Sequence, residues 1–530
     1  MDAFNQLVQH SKKISHFNHL AAICGWDQAA VMPAGGAQAR SEAMAQLSVH
    51  IHSLHTQPQL AEWFDKAQNE SLDDEQKATL RELKRHWQQA NILPEALVQA
   101  KSLAGSKCEH AWRTQRKNND WVGFEKNWAE VVTLSQQEAQ IRADATGLTP
   151  YDAMLDLYEP GTTTQSLDAV FSDVKTWLPT LIDQVIEKQR AEEIIIPTGH
   201  YPAEKQKALG LEVMKLLQFD FEHGRLDESV HPFCGGVPTD VRITTRYNES
   251  EFIQSLMGIV HETGHARYEQ GLPKHLAGTP AGEARSMGIH ESQSLFFEMQ
   301  MGRSEPFIEH LATLAARYFS GSEDRVFAQA NFQKIYTRAE KGFIRVDADE
   351  LTYPAHVILR YEIERDLING HIKHTDVPEL WDHKMQAYLG LSTQGNDQNG
   401  CMQDIHWTDG GRTLITTRQP AEKKGKRTNT YNYRDGCMQD IHWCDGSFGY
   451  FPSYTLGAMY AAQFMAAMRK TIDVDDVIRS GNLSPIFAWL SKNIWSKGSL
   501  LTTDELVKAA TGEVLNPEHF KNHLKSRYLG

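Results

Sequence analysis

Apolar residues along this chain recur three and four positions apart over long polar stretches, the spacing that places them on one face of an α-helix. The segments DDEQKATLRELKRHWQQANILPEALVQAKSLAGSK and TTQSLDAVFSDVKTWLPTLIDQVIEKQRAEE show it plainly. Strand-like alternation is scarce. It is confined to EEIIIP around residues 194–196 and to DVRITTRY at 240–247. The pattern predicts a mainly α-helical protein with one small β element before the segment that begins at Glu249. No run rich in Pro, Gly and Ser divides the chain, so residues 1–530 are read as one large unit rather than a string of domains.

Composition narrows the classes of function. The 530 residues carry 54 Lys and Arg against 68 Asp and Glu, a net charge of −14. That sign argues against a general nucleic-acid coat and against a binder of anionic membranes. Hydrophobic residues at 41% and charged residues at 23% are those of a globular protein. No apolar run approaches the ~18 residues that a membrane helix needs. The start, MDAFNQLVQHSKKISHF, has no cationic tip followed by an apolar block, so no secretory signal is expected. Six scattered cysteines without a CxxC do not make a disulfide framework, and a reducing cytoplasm is the expected compartment.

One irregularity interrupts the chain. GCMQDIHW occupies residues 400–407 and returns 36 positions later at 436–443. No further copy follows, so the chain is not a repeat array. Between the copies, residues 411–435 carry seven Lys and Arg and two acids, the composition of a solvated loop or disordered insert. Residues 408–443 are therefore read as an approximate internal duplication with a basic loop.

The sharpest chemical signal is HETGH at residues 261–265. Two histidines four apart on a helix lie on neighbouring turns of one face, so both imidazoles can reach one Zn²⁺. Glu262 between them is then placed to act as a general base on water. A helix is expected from Asn248 onward, with Asn248 and Glu251 forming a capping box. On that helix Phe252, Leu256 and Ile259 share the buried side, Val260 flanks it, and the histidines project from the other. Gly258 leaves room one turn earlier. The metzincin continuation is absent, because Tyr268 and Gly271 stand where Gly and His would be required. A catalytic zinc still needs a third ligand. Glu291, in SMGIHESQS at residues 286–294, lies 26 residues beyond His265, far enough for a turn and a returning helix. It is preferred over His275 and His290.

With HETGH and HESQS both present, the sequence resembles the carboxypeptidase Taq family of zinc metallocarboxypeptidases. The resemblance extends through WDQAAVMPAGGAQAR at residues 26–40, HPF at 231–233 and DVRIT at 240–244. It continues through IRVDAD at 344–349, LTYPAHVILRYEIE at 351–364, and GCMQDIHW followed by GSFGYFPSYTLG. It implies an elongated helical fold with a deep central groove, the HExxH helix on its floor, and a homodimer. It implies one Zn²⁺ per chain on His261, His265 and Glu291, with Co²⁺ suited to the same ligands, and Glu262 as base. The activity implied is release of single residues from the free C-termini of peptides, with broad side-chain tolerance. His442, Tyr454 and Tyr450 resemble the His and Tyr groups that hydrogen-bond the oxyanion in related helical zinc peptidases.

An exopeptidase also needs a cation for the substrate's carboxylate, and a guanidinium binds it bidentately. Arg345, Arg242 and Arg360 are the candidates, in that order. Each has an acidic neighbour that could instead claim it: Asp347 or Asp349 for Arg345, Asp240 for Arg242, Glu362 or Glu364 for Arg360. A single GCMQDIHW copy is expected in the family, and the second copy, which leads directly into GSFGYFPSY, is expected to be the functional one. Two other functions fit the same motifs: a zinc oligopeptidase or endopeptidase of similar helical fold, and an inactive peptide-binding homologue disrupted by the insert.

Overall fold

The computed structural model of the protein describes residues 2–229, 232–319, 325–394 and 432–530. His231, the first GCMQDIHW copy with His406, and most of the basic loop lie outside the described residues. Helices dominate, as the periodicity predicts. Their ends carry ordinary chemistry. Asp2 caps helix Ala3–Ala30 by accepting the Asn5 N–H at 2.8 Å. Asp73 and Gln76 form a reciprocal capping box on helix Asp74–Asn91. Among the described residues no helix is long and apolar enough to cross a membrane, and none of the cysteines is in a disulfide.

The β element is a three-stranded sheet: β1 (Gly224–Glu228), β2 (Phe233–Val237) and β3 (Asp240–Thr245), in the order β1-β3-β2. β1 runs parallel to β3, with Leu226 opposite Ile243, and β2 antiparallel, with Cys234 opposite Ile243. The expected strand at residues 194–196 does not form. Its extended backbone is held by one side chain: the Asn331 amide donates to the Ile195 carbonyl at 2.7 Å, and the Asn331 carbonyl oxygen accepts the Ile195 N–H at 2.8 Å. With both polar groups of Ile195 satisfied there, no partner strand is required.

The chain gathers into two compact units. The first comprises Met1–Ile92, Gly199–Gln329 and Leu456–Phe520. Its sheet packs Leu226, Val241 and Ile243 with Met214 and Phe219 onto Ile259 and Ala266 of helix Ile253–Gly271. A second apolar cluster joins Phe4 and Leu7 to Leu60, Phe64, Leu80 and Leu83. The buried face predicted for the HETGH helix is observed, with Phe252, Leu256, Ile259 and Val260 all buried. The predicted cap is not. Asn248 turns its Oδ1 onto the Ser250 N–H and hydroxyl, and Glu251 alone accepts the Gln254 N–H, so the helix starts at Ile253. A short Asx side chain bonds its own backbone two residues on more readily than it reaches three.

The second unit comprises Leu93–Thr198, Ala330–Thr455 and Lys521–Gly530. At its centre is helix Tyr353–Ile368, buried from Pro354 through Glu364. The second GCMQDIHW copy is built into this core. Trp443 stacks on Trp128 at 5.6 Å and donates its indole N–H to Glu364 at 2.7 Å. The Met438 carbonyl accepts the Trp112 indole N–H at 2.7 Å. Asp440 takes the Arg345 Nε at 3.0 Å on one oxygen and the Arg360 Nε at 2.6 Å on the other. All three are buried, and the two guanidinium groups, Arg360 foremost, hold the Asp440 carboxyl well below the usual carboxylate range. The local acids weighed as alternative partners of Arg345 and Arg360 are not the ones they meet: each turns to a carboxylate 80 or more residues away. Two cations sharing one anion make that anion costly to remove. Asp440→Ala is expected to lower stability by about 3–5 kcal/mol, because two buried charges lose their partner, and urea unfolding measures it.

Candidate metal centre and catalytic loop

His261 and His265 lie one turn apart on helix Ile253–Gly271, and Glu291 comes from helix Met287–Leu295. Among the described residues these three form a cluster of potential metal ligands whose donor atoms all lie within 4.8 Å of one another. The two helices meet unusually closely, and glycines permit it. A Cβ on Gly264 would fall 2.6 Å from the Gln293 carbonyl oxygen and 2.7 Å from the Ser294 Cα. A Cβ on Gly457 would fall 2.8 Å from the Glu291 Cγ. Gly258, by contrast, faces open space, which fits its expected role beside the histidines. The Glu291 helix is fixed further by Ser286, whose side chain caps Ile289, and by Gln293, which accepts the Trp495 indole N–H at 2.8 Å.

The imidazoles are oriented from behind. His261 Nδ1 is 2.8 Å from Glu298 Oε2, and Glu298 Oε1 accepts Arg303 Nη2 at 2.6 Å. His265 Nδ1 is 2.8 Å from His290 Nδ1, while His290 Nε2 reaches Glu269 Oε1 at 2.8 Å. Both candidate ligands therefore have Nδ1 occupied and Nε2 left for the cluster, where His265 Nε2 stands 3.3 Å from Glu291 Oε2. Glu298 lies on a π-helical segment, Phe296–Gly302, that continues the Glu291 helix. Such wide turns often mark functional positions.

The electrostatics favour a cation. Burial alone would lower the His261 pKa, yet the hydrogen bond to Glu298 and the charges of Glu291, Glu298 and Glu262 raise it to about 10. Burial lowers His265 to about 4 despite its bond to Glu291. Burial also raises Glu262 to about 7. Three carboxylates thus surround two imidazoles in a poorly hydrated site, a field that draws positive charge. The donor set of two nitrogens and one oxygen fits zinc with one position left open. Of the two rival third ligands, His275 is a surface residue 2.9 Å from Glu75, and His290 stands behind His265 rather than in the cluster.

The remaining predicted residues belong to the second unit, apart from Arg242. Tyr454 Oη lies 3.3 Å from His442 Nε2, and the His442 ring packs against Phe451 at 4.7 Å and Tyr450 at 5.5 Å. Arg345 donates to the Tyr353 hydroxyl at 2.7 Å and lies 5.0 Å from the centre of the Tyr454 ring. Arg360 is completely buried and spends Nη1 on the His356 carbonyl, so it braces the core. Arg242 forms the expected pair with Asp240 and lies over the Trp26 ring at 4.3 Å. Sequence reasoning missed Glu298 and Glu269. Glu298 had a readable signal: a lone acid in the apolar run LFFEMQM, two helical turns beyond Glu291.

Because both histidines are braced through Nδ1, Glu298→Ala and His290→Ala are each expected to weaken Zn²⁺ binding about 10–100-fold. Competition with a chromophoric chelator measures this, and unchanged affinity in both variants would contradict the assigned bracing.

The chain is similar to known proteins over nearly its whole length. The family model described as carboxypeptidase Taq (M32) metallopeptidase matches residues 6–412 and 428–528. Carboxypeptidase 1 of Bacillus subtilis is 33% identical over 98% of this chain and 96% of its own length. Thermostable carboxypeptidase 1 of Thermus thermophilus is 33% identical over 99% of this chain and 98% of its own. Among solved structures, metallocarboxypeptidase 1 of Trypanosoma cruzi superposes with a TM-score of 0.91 at 43% identity, covering 100% of this chain and 99% of that one. With a match that runs nearly end to end, this chain belongs to the carboxypeptidase Taq (M32) family of metallopeptidases and is a metallocarboxypeptidase.

Proposed function

We propose that the metal is zinc, that the reaction is release of single C-terminal residues from peptides with broad side-chain tolerance, and that Glu262 is the general base. The observation that carries this reading is the convergence of His261, His265 and Glu291 within 4.8 Å, with Glu262 on the same helical turn. Zinc held there would supply Lewis-acid polarisation of the attacking water and the scissile carbonyl; Co²⁺ suits the same donors. Glu262 takes the proton of the attacking water and delivers it to the leaving amine. A base whose pKa stands near 7 is well matched to both transfers.

His442 and Tyr454 donate hydrogen bonds to the oxyanion that develops on the scissile carbonyl, and Tyr450 supports the His442 ring. Their mutual geometry supports this role, since the hydroxyl and the imidazole share one edge of the loop. Arg345 receives the substrate carboxylate. Its guanidinium is already held on one side by Asp440 and Tyr353, which fixes its plane. Arg242, tied to Asp240, is a weaker candidate, and Arg360 is sealed in the core. The homodimer and the reducing compartment enter this reading from the family resemblance and from the free thiols.

The family match omits residues 413–427, which supports reading residues 408–443 as a duplication with an insert. The second copy is the catalytic one in this reading, because Asp440, Trp443 and His442 are all tied into the core that holds Tyr454.

Two outcomes follow. Glu262→Gln should retain zinc and lose at least about a hundredfold in kcat, since the base is removed and the ligands are kept; a zinc-loaded variant with full activity overturns the assignment. His442→Ala should lose about tenfold to a thousandfold in kcat on a free-ended peptide, with His406→Ala near wild type. The reverse ranking makes the first copy catalytic.

A further inference from the structure

Helix Ile253–Gly271 carries three glycines, Gly258, Gly264 and Gly271. Glycine destabilises a helix relative to alanine, so each one asks for a reason. For two of them the reason is packing. A Cβ on Gly264 would meet the Gln293 carbonyl oxygen at 2.6 Å, and one on Gly271 would meet the Trp495 ring at 2.6 Å. Gly258 has no such neighbour. Among the described residues, nothing lies within 4 Å of the place its Cβ would take. Its backbone is ordinary as well, with no positive φ and with helix running on through it. Neither packing nor backbone conformation therefore calls for a glycine there.

Its place on the helix is that of the metal cluster. At about 100° per residue, Gly258 falls between His261 and Glu262 around the axis, and His265 follows two turns on. Exposure repeats the pattern. Gly258, His261, Glu262 and His265 are half-buried, whereas Met257, Ile259, Val260, Thr263 and Gly264 are buried. The gap over Gly258 thus opens on the side of the helix that carries the candidate ligands and base, one turn before them. Helical side chains tilt toward the N-terminus of their helix, so Glu262 leans toward the turn that contains Gly258. It does not fill the gap, because its side chain also stays beyond 4 Å of the Cβ position. In the proposed reading, Glu262 delivers a proton to the leaving amine. That nitrogen is bonded to the Cα of the departing residue, so the departing side chain emerges beside Glu262.

We infer that Gly258 is a specificity-determining residue: the space its missing side chain leaves beside Glu262 receives the side chain of the departing C-terminal residue. The inference rests on the proposed exopeptidase reading and gives its broad side-chain tolerance a physical source. A methyl group at this position narrows the space, and an isobutyl group occupies it. A large departing side chain such as that of phenylalanine then loses room, while that of alanine does not. A destabilising residue thus stands where the site needs clearance, the kind of conflict between stability and activity that functional positions show.

The test uses the zinc-loaded full-length protein, its Gly258→Ala and Gly258→Leu variants, and short peptides that end in alanine or phenylalanine. The ratio of kcat/KM for the phenylalanine-ended over the alanine-ended peptide is expected to fall at least about tenfold in Gly258→Leu, and about twofold to fivefold in Gly258→Ala. The same exchange made at the penultimate residue should change its ratio by less than about twofold. Gly258→Ala should at the same time raise the thermal midpoint, because the helix gains and nothing is displaced. Zinc affinity, from chelator competition, is expected to stay within about twofold of wild type in both variants, since no ligand or brace is touched. A constant ratio, a size effect confined to the penultimate residue, or a loss that follows zinc affinity overturns the inference. So does a lower midpoint for Gly258→Ala, which would assign the glycine to packing. Cleavage by wild type only within peptides would count against the exopeptidase reading alone. The ratio is then read at the residue after the cut bond, where it is still expected to fall in Gly258→Leu, and a constant ratio there overturns the inference.

Discussion

The site depends on a close approach between two helices. His261 and His265 stand on one, Glu291 on the other, and their donor atoms converge only because the backbones meet where Gly264 carries no side chain. Gly457 repeats the device on the opposite flank of Glu291. Any larger residue at either position must push the carboxylate and the imidazoles apart. The apolar face of the HETGH helix, seated on the small sheet through Ile259 and Ala266, holds that helix in place for the contact. In the proposed reading a metal would find these ligands already arranged, and binding energy would not be spent on assembling them.

The same logic extends outward in layers. Glu298 and Arg303 stand behind His261, and His290 and Glu269 behind His265. Each imidazole is thereby held in one orientation with Nε2 toward the cluster. In the second unit, Asp440 plays a comparable part for Arg345 and Arg360. One buried carboxylate there holds two guanidinium groups, which fixes Arg345 beside Tyr353 and Tyr454. A partial duplication of this motif can be tolerated when one copy makes all of these contacts, and the copy at residues 436–443 makes them.

What could be read from the residues alone was local. The buried face of the HETGH helix follows from helical periodicity and is observed; the choice of Glu291 rests on chain distance and a returning helix, and its side chain lies with His261 and His265 in one cluster. Of the small sheet only the strand at residues 240–245 was legible from alternation; the segment at 194–196 misled because an Asn side chain 136 positions away can satisfy a backbone as well as a strand can. The Asn248 cap misled because two local turns compete for the same oxygen. For Arg345 and Arg360 only nearby acids were considered as alternative partners, whereas Asp440 lies 95 and 80 positions off. His290 looked like a rival ligand because histidine next to Glu291 has the right chemistry; consecutive helical residues point about 100° apart, and it faces the back of His265 instead. Long-range pairing of buried charges leaves no periodic trace in a sequence.

The most direct test of this account is X-ray absorption spectroscopy at the zinc edge of the metal-loaded protein. The account predicts a first shell of nitrogen and oxygen at about 2.0–2.2 Å containing two imidazoles and one carboxylate. A sulfur shell at about 2.3 Å, or a third imidazole in place of the carboxylate, would contradict it.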